Sequence, residues 1–139
     1  MDSQSLGLRT TLELPYEQAL DATIAALKAE GFGVLTQIDV QATMKAKLGA
    51  DFQKYAILGA CNPPLAHRAL NAVLDIGLLL PCNVIVYEEG DHSVVALLDP
   101  LSMLDLFDNA DLVPVAQEAA ERLHRVAASL ASSGETTHS

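Results

Sequence analysis

Leucines alternate with polar or small residues at the start of the chain, at Leu6, Leu8, Leu12 and Leu14. A period of two is typical of a strand with one solvated face, and it predicts a strand over 6–13. Apolar residues then recur at helical spacing, at Leu20, Ile24 and Leu27. Because Pro15 suits a first helical turn and Gly31 a helix end, the pattern predicts a helix over 16–30.

The middle of the chain predicts two more strands, over 33–38 and 55–60, and two more helices, over 40–47 and 63–74. Asp39 can cap the first of these helices, because its carboxylate can accept a hydrogen bond from an N–H group of the first turn. Asn62 can cap the second, and Pro63 suits the first helical position.

The last third of the chain predicts a hairpin and a closing helix. Strands over 82–87 and 93–98 flank a short connection that contains glycine, so we expect antiparallel neighbours. The helix begins at Pro114, and its inward stripe consists of Val115, Ala119, Leu123, Val126 and Leu130.

The order of these elements is β-α-β-α-β-α-β-β-α. It predicts an α+β fold with an antiparallel or mixed sheet and helices packed on one side. A chain of 139 residues fits one domain, which we place at 1–131, followed by a disordered polar tail over 132–139. The pattern leaves the order of the strands in the sheet open.

The chain carries a formal charge of −10, and most of the excess acid lies after Leu74. Negative charge opposes binding to nucleic acid and to anionic membrane surfaces, so we expect neither partner. The start of the chain lacks the features of a signal peptide, and the longest apolar run is too short to cross a bilayer. We therefore expect a cytoplasmic protein.

Candidate chemistry is concentrated in two segments that hold both cysteines of the chain, Cys61 and Cys82. Cys61 precedes a predicted helix, whose free N–H groups and dipole would stabilise a thiolate. Cys82 follows Pro81 at a strand start and could be a resolving thiol, a second ligand or a packed small residue. Parallel pairing of the two strands would hold the thiols about 15–20 Å apart, whereas antiparallel pairing would let them meet.

Other residues could add to a thiol site. His67 lies about one turn inside the predicted helix and could complete a Cys-Cys-His metal set, although a surface position is the simpler interpretation. Met103 could offer a thioether to copper(I), but an isolated methionine is more often part of the core. Asp99 can be a ligand-binding carboxylate or the first residue of an Asx-Pro turn. With Asp105, Asp108 and Asp111 it forms an acidic stretch without calcium-loop spacing, which indicates a solvated surface.

The sequence contains no recognised catalytic motif: a nucleophile elbow, a phosphate loop and a dinucleotide fingerprint are all missing. The missing motifs lean against an enzyme and leave the question open.

The segments ILGACNP and LLLPCNV and the later Leu98-Asp99-Pro100 resemble the signature segments of the uncharacterised domain family number 302, a domain of unknown function. The resemblance spans roughly Leu8 to Val126. It implies a compact α+β domain that forms a homodimer, with no established cofactor. The family's motif residues correspond to Gly59, Cys61, Asn62, Pro63, Pro81, Cys82, Asp99 and Pro100.

Three functions remain open. The first is a ligand-binding module that holds a soft metal ion, a sulfur species or a cofactor, with Cys61, Asn62, Pro63, Cys82 and Asp99 at the site and Cys61, Cys82 and His67 as metal ligands. The second is a structural or protein-interaction domain without a small-molecule site. The third is a thiol or persulfide transfer enzyme or carrier in which Cys61 attacks and Cys82 resolves.

Overall fold

The computed structural model describes the backbone of residues 7–138 and the side chains of residues 7–131. Its sheet has five strands, all paired antiparallel, in the order β1-β5-β4-β3-β2. The strands are β1 (Gly7–Leu12), β2 (Gly33–Asp39), β3 (Tyr55–Cys61), β4 (Cys82–Glu89) and β5 (His92–Leu98). The sheet is therefore antiparallel throughout, which decides between the two alternatives that the sequence left open.

The described residues also form four α-helices and two 3-10 helices. The α-helices are α1 (Tyr16–Ala29), α2 (Val40–Leu48), α3 (Pro63–Ala72) and α4 (Leu112–His138), and the 3-10 helices are Leu74–Leu79 and Pro100–Asp105. The element order and the α+β class agree with the prediction. No helix in the described part of the chain is long and apolar enough to cross a membrane.

The predicted caps are present. Asp39 accepts a hydrogen bond from the Ala42 N–H at 2.9 Å and begins α2. Asn62 accepts one from the Leu65 N–H at 3.2 Å and begins α3. After α2, Gly49 has a φ of 65°, a left-handed conformation that glycine adopts without a steric penalty.

The larger apolar cluster lies between one face of the sheet and helices α1 and α4. The predicted stripe of α4 is buried at all five positions, and Leu123 and Val126 are inaccessible to solvent. They pack against side chains that alternate along the central strands, such as Leu58, Val84 and Val95. Burial of one such side chain stabilises the fold by roughly 1.5–3 kcal/mol.

A smaller apolar cluster lies beside the first. It joins α3 and both 3-10 helices to the beginning of α4, through Leu65, Ile76, Met103, Leu112 and Val115. The sequence pattern did not predict the 3-10 helices. The first of them begins at Leu74, and α3 ends at Ala72, two residues before its predicted end.

The opposite face of the sheet belongs to neither cluster, and we call it the open face. Ile38, Ile57, Ile85 and Ala96 form one row across four neighbouring strands of this face. Tyr55 and Tyr87 form part of a second row, with their rings stacked at 5.4 Å between centroids. Ile38 is 47% exposed and Ile57 and Ile85 are half-buried, so this apolar surface is only partly covered.

Helix α2 also differs from a typical amphipathic helix, because none of its residues is buried. Leu48, at its end, is 73% exposed. The remaining boundaries differ from the predictions by a few residues: β4 continues to Glu89, β5 starts at His92, and α4 starts at Leu112. The side chains of 132–138 and all of Ser139 lie outside the described residues, so the expected disordered tail stays a prediction.

Candidate functional site: a cavity lined by two thiols

Antiparallel pairing of β3 and β4 brings the two cysteine segments to the same edge of the sheet. Cys82 pairs directly with Ala60, the residue before Cys61. Neighbouring strands lie about 4.8 Å apart and residues rise about 3.3 Å along a strand, so the backbones of the two cysteines are neighbours. The larger separation expected for parallel strands does not arise.

Both cysteines line one small cavity, which we call the thiol cavity. Its volume is about 40 Å³, and it lies between the edge of the sheet, α3, the second 3-10 helix and α4. Much of its wall is apolar, formed by residues such as Phe32, Leu65, Leu112 and Val115. A water molecule needs about 10–15 Å³ on this measure, so the thiol cavity has room for a few atoms only.

The described side chains that line the thiol cavity include no charged group. Asn62 is the polar residue there besides the thiols, and it is 7% exposed. Its Oδ1 atom is occupied as the cap of α3. A Cβ atom at Gly31 would lie only 2.8 Å from its Nδ2 atom, so the absence of a side chain at Gly31 makes room for the Asn62 amide.

Cys82 is a buried thiol in the reduced state. Burial in the apolar wall, with a smaller contribution from the neighbouring Cys61, raises the pKa of Cys82 to about 11. Desolvation disfavours the charged form of any acid, so Cys82 is a neutral thiol at physiological pH.

Cys61 is half-buried and stands directly before the Asn62 cap of α3. The sequence pattern predicts free N–H groups at this helix end. Pro63 and Pro64 have no N–H, the Leu65 N–H is donated to the Asn62 side chain, and the Ala66 N–H to the Asn62 carbonyl at 2.9 Å. The first turn of α3 therefore has no free N–H group to donate to a thiolate or another anion, which corrects that expectation.

The other predicted site residues lie around the thiol cavity rather than in its wall. Asp99 caps the second 3-10 helix by accepting from the Leu101 N–H at 3.0 Å. His67 is exposed and has its Nε2 atom 3.4 Å from the Asn71 amide. Pro63 is exposed at the start of α3. Among the described residues, no three His, Cys, Asp or Glu side chains come together as a metal site.

Met103 is the residue that the sequence analysis assigned to the core. It is 6% exposed, as a core residue should be, and it also lines the thiol cavity. No local pattern in the sequence points to this position, because Met103 lies on a separate 3-10 helix, 21 positions after Cys82.

A charged network holds the outer side of the cavity wall together. Arg68 of α3 contacts Glu118 of α4 at 3.0 Å, and Arg122 contacts the same carboxylate at 3.2 Å. Hydrogen bonds from Arg68 and then from Arg122 lower the pKa of Glu118. Arg122 also donates to the Glu30 carbonyl at 3.1 Å, so α1, α3 and α4 are linked around the cavity.

These features define a small α+β domain with a five-stranded antiparallel sheet and a cavity lined by two reduced cysteines. The sequence profile of the family described as "Domain of unknown function DUF302" matches residues 8–130. The chain belongs to this family, as the three motifs indicated.

A solved structure supports the same assignment. The chain is similar to the crystal structure of an uncharacterised conserved DUF302 protein from Bacillus stearothermophilus, with 28% sequence identity and a TM-score of 0.82. The match covers 90% of this chain and 98% of the other. No curated protein matches the chain.

Proposed function

We propose that the protein is a cytoplasmic ligand-binding module whose thiol cavity holds a thiophilic ligand between Cys61 and Cys82. Such a ligand is a soft metal ion, a sulfur species or a cofactor with a soft atom. The observation that carries this proposal is that two cysteine residues, 21 positions apart in the sequence, line one small apolar cavity. Free thiols fit the reducing cytoplasm.

The surroundings of the thiols favour a soft ligand over a hard one. Calcium and magnesium take six or more oxygen ligands or keep their water, and this cavity has neither carboxylates nor room for a hydrated ion. Soft ions and sulfur species instead prefer sulfur donors and do not require charged oxygen. An apolar wall also excludes the water that would compete for such a ligand.

Thiol transfer is supported less well by the same geometry. A resolving cysteine attacks as a thiolate, and burial holds Cys82 in its neutral form. The described cavity wall contains no His, Asp or Glu that could take its proton. Binding, in which the ligand itself displaces the proton, does not need such a base.

Silver(I) is a suitable probe for a two-thiol site. We expect one Ag(I) per chain in native mass spectra of the reduced protein. Cys61→Ser and Cys82→Ala should each weaken binding by more than the roughly 10–100-fold that loss of an outer-shell partner costs, because each removes a direct ligand. Competition against a thiol of known affinity measures this change.

The control is His67→Ala. His67 is exposed and lies outside the cavity wall, so this variant should bind Ag(I) as the wild type does. Thermal unfolding establishes that each variant is folded. Binding that persists in either cysteine variant would contradict a shared two-thiol site.

A second proposal concerns the open face, which we infer to be the interface of a homodimer. Its central row runs from Ile38 through Ile57 and Ile85 to Ala96 and is apolar and partly exposed, and Arg9 of β1 follows Ala96 at the edge of the sheet. A five-stranded face measures about 24 by 20 Å, or about 500 Å² in projection. Side chains that project from the sheet increase this area toward the roughly 800 Å² that each partner of a specific interface buries. The apolar part of this face is self-complementary, which a two-fold interface requires, and Arg9 lies at its edge.

We expect sedimentation equilibrium to give a dimer for the wild type and a monomer for Ile85→Glu, because the substitution places two charges in a desolvated interface. Leu78→Glu is the matched control, since Leu78 is 85% exposed and lies away from the sheet. A wild type that is monomeric at micromolar concentrations, or an Ile85→Glu dimer, would contradict this interface. The open face would then remain as a surface for another protein.

A further inference from the structure

Three sulfur-containing residues, two cysteines and one methionine, line the thiol cavity. Cys61 and Cys82 come from the paired ends of β3 and β4, and Met103 comes from the second 3-10 helix. The chain has three methionines in all, and the methionine buried here stands at a cavity that both of its cysteines also line. Soft thiolate and thioether donors together favour copper(I).

We propose that Met103 is the third ligand of the thiol cavity and that the cavity binds a single copper(I) ion in an all-sulfur site. The proposal rests on the proposed function, since it names the ligand held by the two cysteines.

The position of Met103 is fixed by its own helix. Asp99 caps this 3-10 helix, and the Ser102 hydroxyl donates to the Asp99 carbonyl at 2.7 Å. The Leu106 and Phe107 N–H groups both lie within hydrogen-bonding distance of the Met103 carbonyl, at 3.1 and 3.2 Å. A thioether held in this way can act as a ligand without ordering a flexible loop, which lowers the entropic cost of binding.

The absence of other donors argues against zinc. Zinc sites in proteins are tetrahedral, with four ligands drawn from thiolate, imidazole and carboxylate groups. The described cavity wall provides two cysteines and none of the other groups. His67 is exposed and does not line the cavity, so among the described residues the Cys-Cys-His metal set considered from the sequence does not come together.

The volume of the thiol cavity also limits what can bind there. A volume of about 40 Å³ holds an ion without a full shell of water, since each water needs about 10–15 Å³. Copper(I) would therefore enter from a soft carrier or chelator and exchange ligands with the protein, as its coordination to sulfur allows.

The test is an anaerobic titration of the full-length, reduced chain with copper(I), in competition with a chromophoric copper(I) chelator. X-ray absorption of the loaded protein counts the sulfur ligands. We expect one copper per chain and three sulfurs in the wild type. Met103→Leu should leave two sulfurs and weaken binding by at least the roughly tenfold that loss of an outer-shell partner costs.

Met44→Leu is the matched control, because Met44 lies on α2, away from the cavity wall, and should leave affinity and sulfur count unchanged. Methionine and leucine have similar volumes, so both variants should fold, as thermal unfolding checks. Unchanged affinity and two sulfurs in both wild type and Met103→Leu would overturn the role of Met103 and leave the two-thiol site intact. Failure of the wild type to bind copper(I), while silver(I) still depends on both cysteines, would overturn copper(I) as the ligand. Failure of the wild type to bind copper(I), together with silver(I) binding that does not depend on the two cysteines, would overturn the proposed function itself.

Discussion

Raising the pH from about 8 to about 11 is expected to reduce the free energy of unfolding by about 2–3 kcal/mol more in the wild type than in Cys82→Ala. Burial raises the pKa of the Cys82 thiol from an ordinary value near 9 to about 11 in the folded protein. The folded state therefore keeps its proton over a range in which the unfolded chain has already lost it.

The direction of the change in the free energy of unfolding follows from this difference in pKa between the folded and unfolded states. Below about pH 9 the thiol is protonated in both states, and the stability associated with the neutral buried form is fully present. Between about pH 9 and 11, ionisation of the thiol stabilises the unfolded state but not the folded state, so the free energy of unfolding falls. Two pH units correspond to about 2.7 kcal/mol, since one unit is 1.36 kcal/mol.

Urea denaturation at a series of pH values measures the effect. Lysines and tyrosines also titrate in this range, but they are present in both proteins, so the difference between wild type and Cys82→Ala isolates the thiol. Cys61→Ser should keep most of the alkaline loss, because burial is the larger cause of the raised pKa and Cys61 the smaller. Parallel curves for wild type and Cys82→Ala would show that Cys82 is not a buried neutral thiol.

Gly59→Ala is expected to destabilise the fold by about 2–3 kcal/mol, in the upper range for overpacking. Gly59 pairs with Thr36 across β2 and β3, and an added Cβ atom would lie 2.2 Å from the Thr36 Oγ1 atom. It would also lie 2.8 Å from Cγ of Pro81, the residue before Cys82. The sheet must therefore shift at the position where the two cysteine segments meet.

Gly33→Ala is the control, because Gly33 lies on the neighbouring strand and a Cβ atom there would have no neighbour within 4 Å. It should be neutral or stabilising by up to about 1 kcal/mol, through lower entropy of the unfolded chain. Adding Thr36→Ala to Gly59→Ala removes the nearer of the two clashes and should recover part of the loss. Thermal and urea unfolding measure all three variants, and equal stabilities of Gly59→Ala and Gly33→Ala would contradict the close packing at Gly59.

Much of the fold is predictable from local sequence patterns. The leucine alternation of β1, the caps Asp39 and Asn62 and the α4 stripe each depend on neighbours within a few positions, and the structure confirms them. The two 3-10 helices were not predicted, because six-residue segments are too short to show a helical period.

The site depends on information that local patterns do not contain. Whether Cys61 and Cys82 meet is decided by strand direction, and only the tertiary structure fixes the antiparallel pairing of Ala60 with Cys82. The contribution of Met103 likewise depends on where a separate 3-10 helix packs. One correction was available in the sequence itself, since Pro64 after Pro63 removes a second N–H group from the start of α3.

The most direct test of the account is the native intact mass of freshly purified protein, kept reduced and combined with elemental analysis. We predict a bound mass in stoichiometric amount that is lost from both Cys61→Ser and Cys82→Ala and retained by His67→Ala. A wild type without bound mass, which also fails to take up silver(I) or copper(I), would contradict a ligand site at the thiol cavity. The protein would then be a structural or partner-binding domain with two inert cysteines.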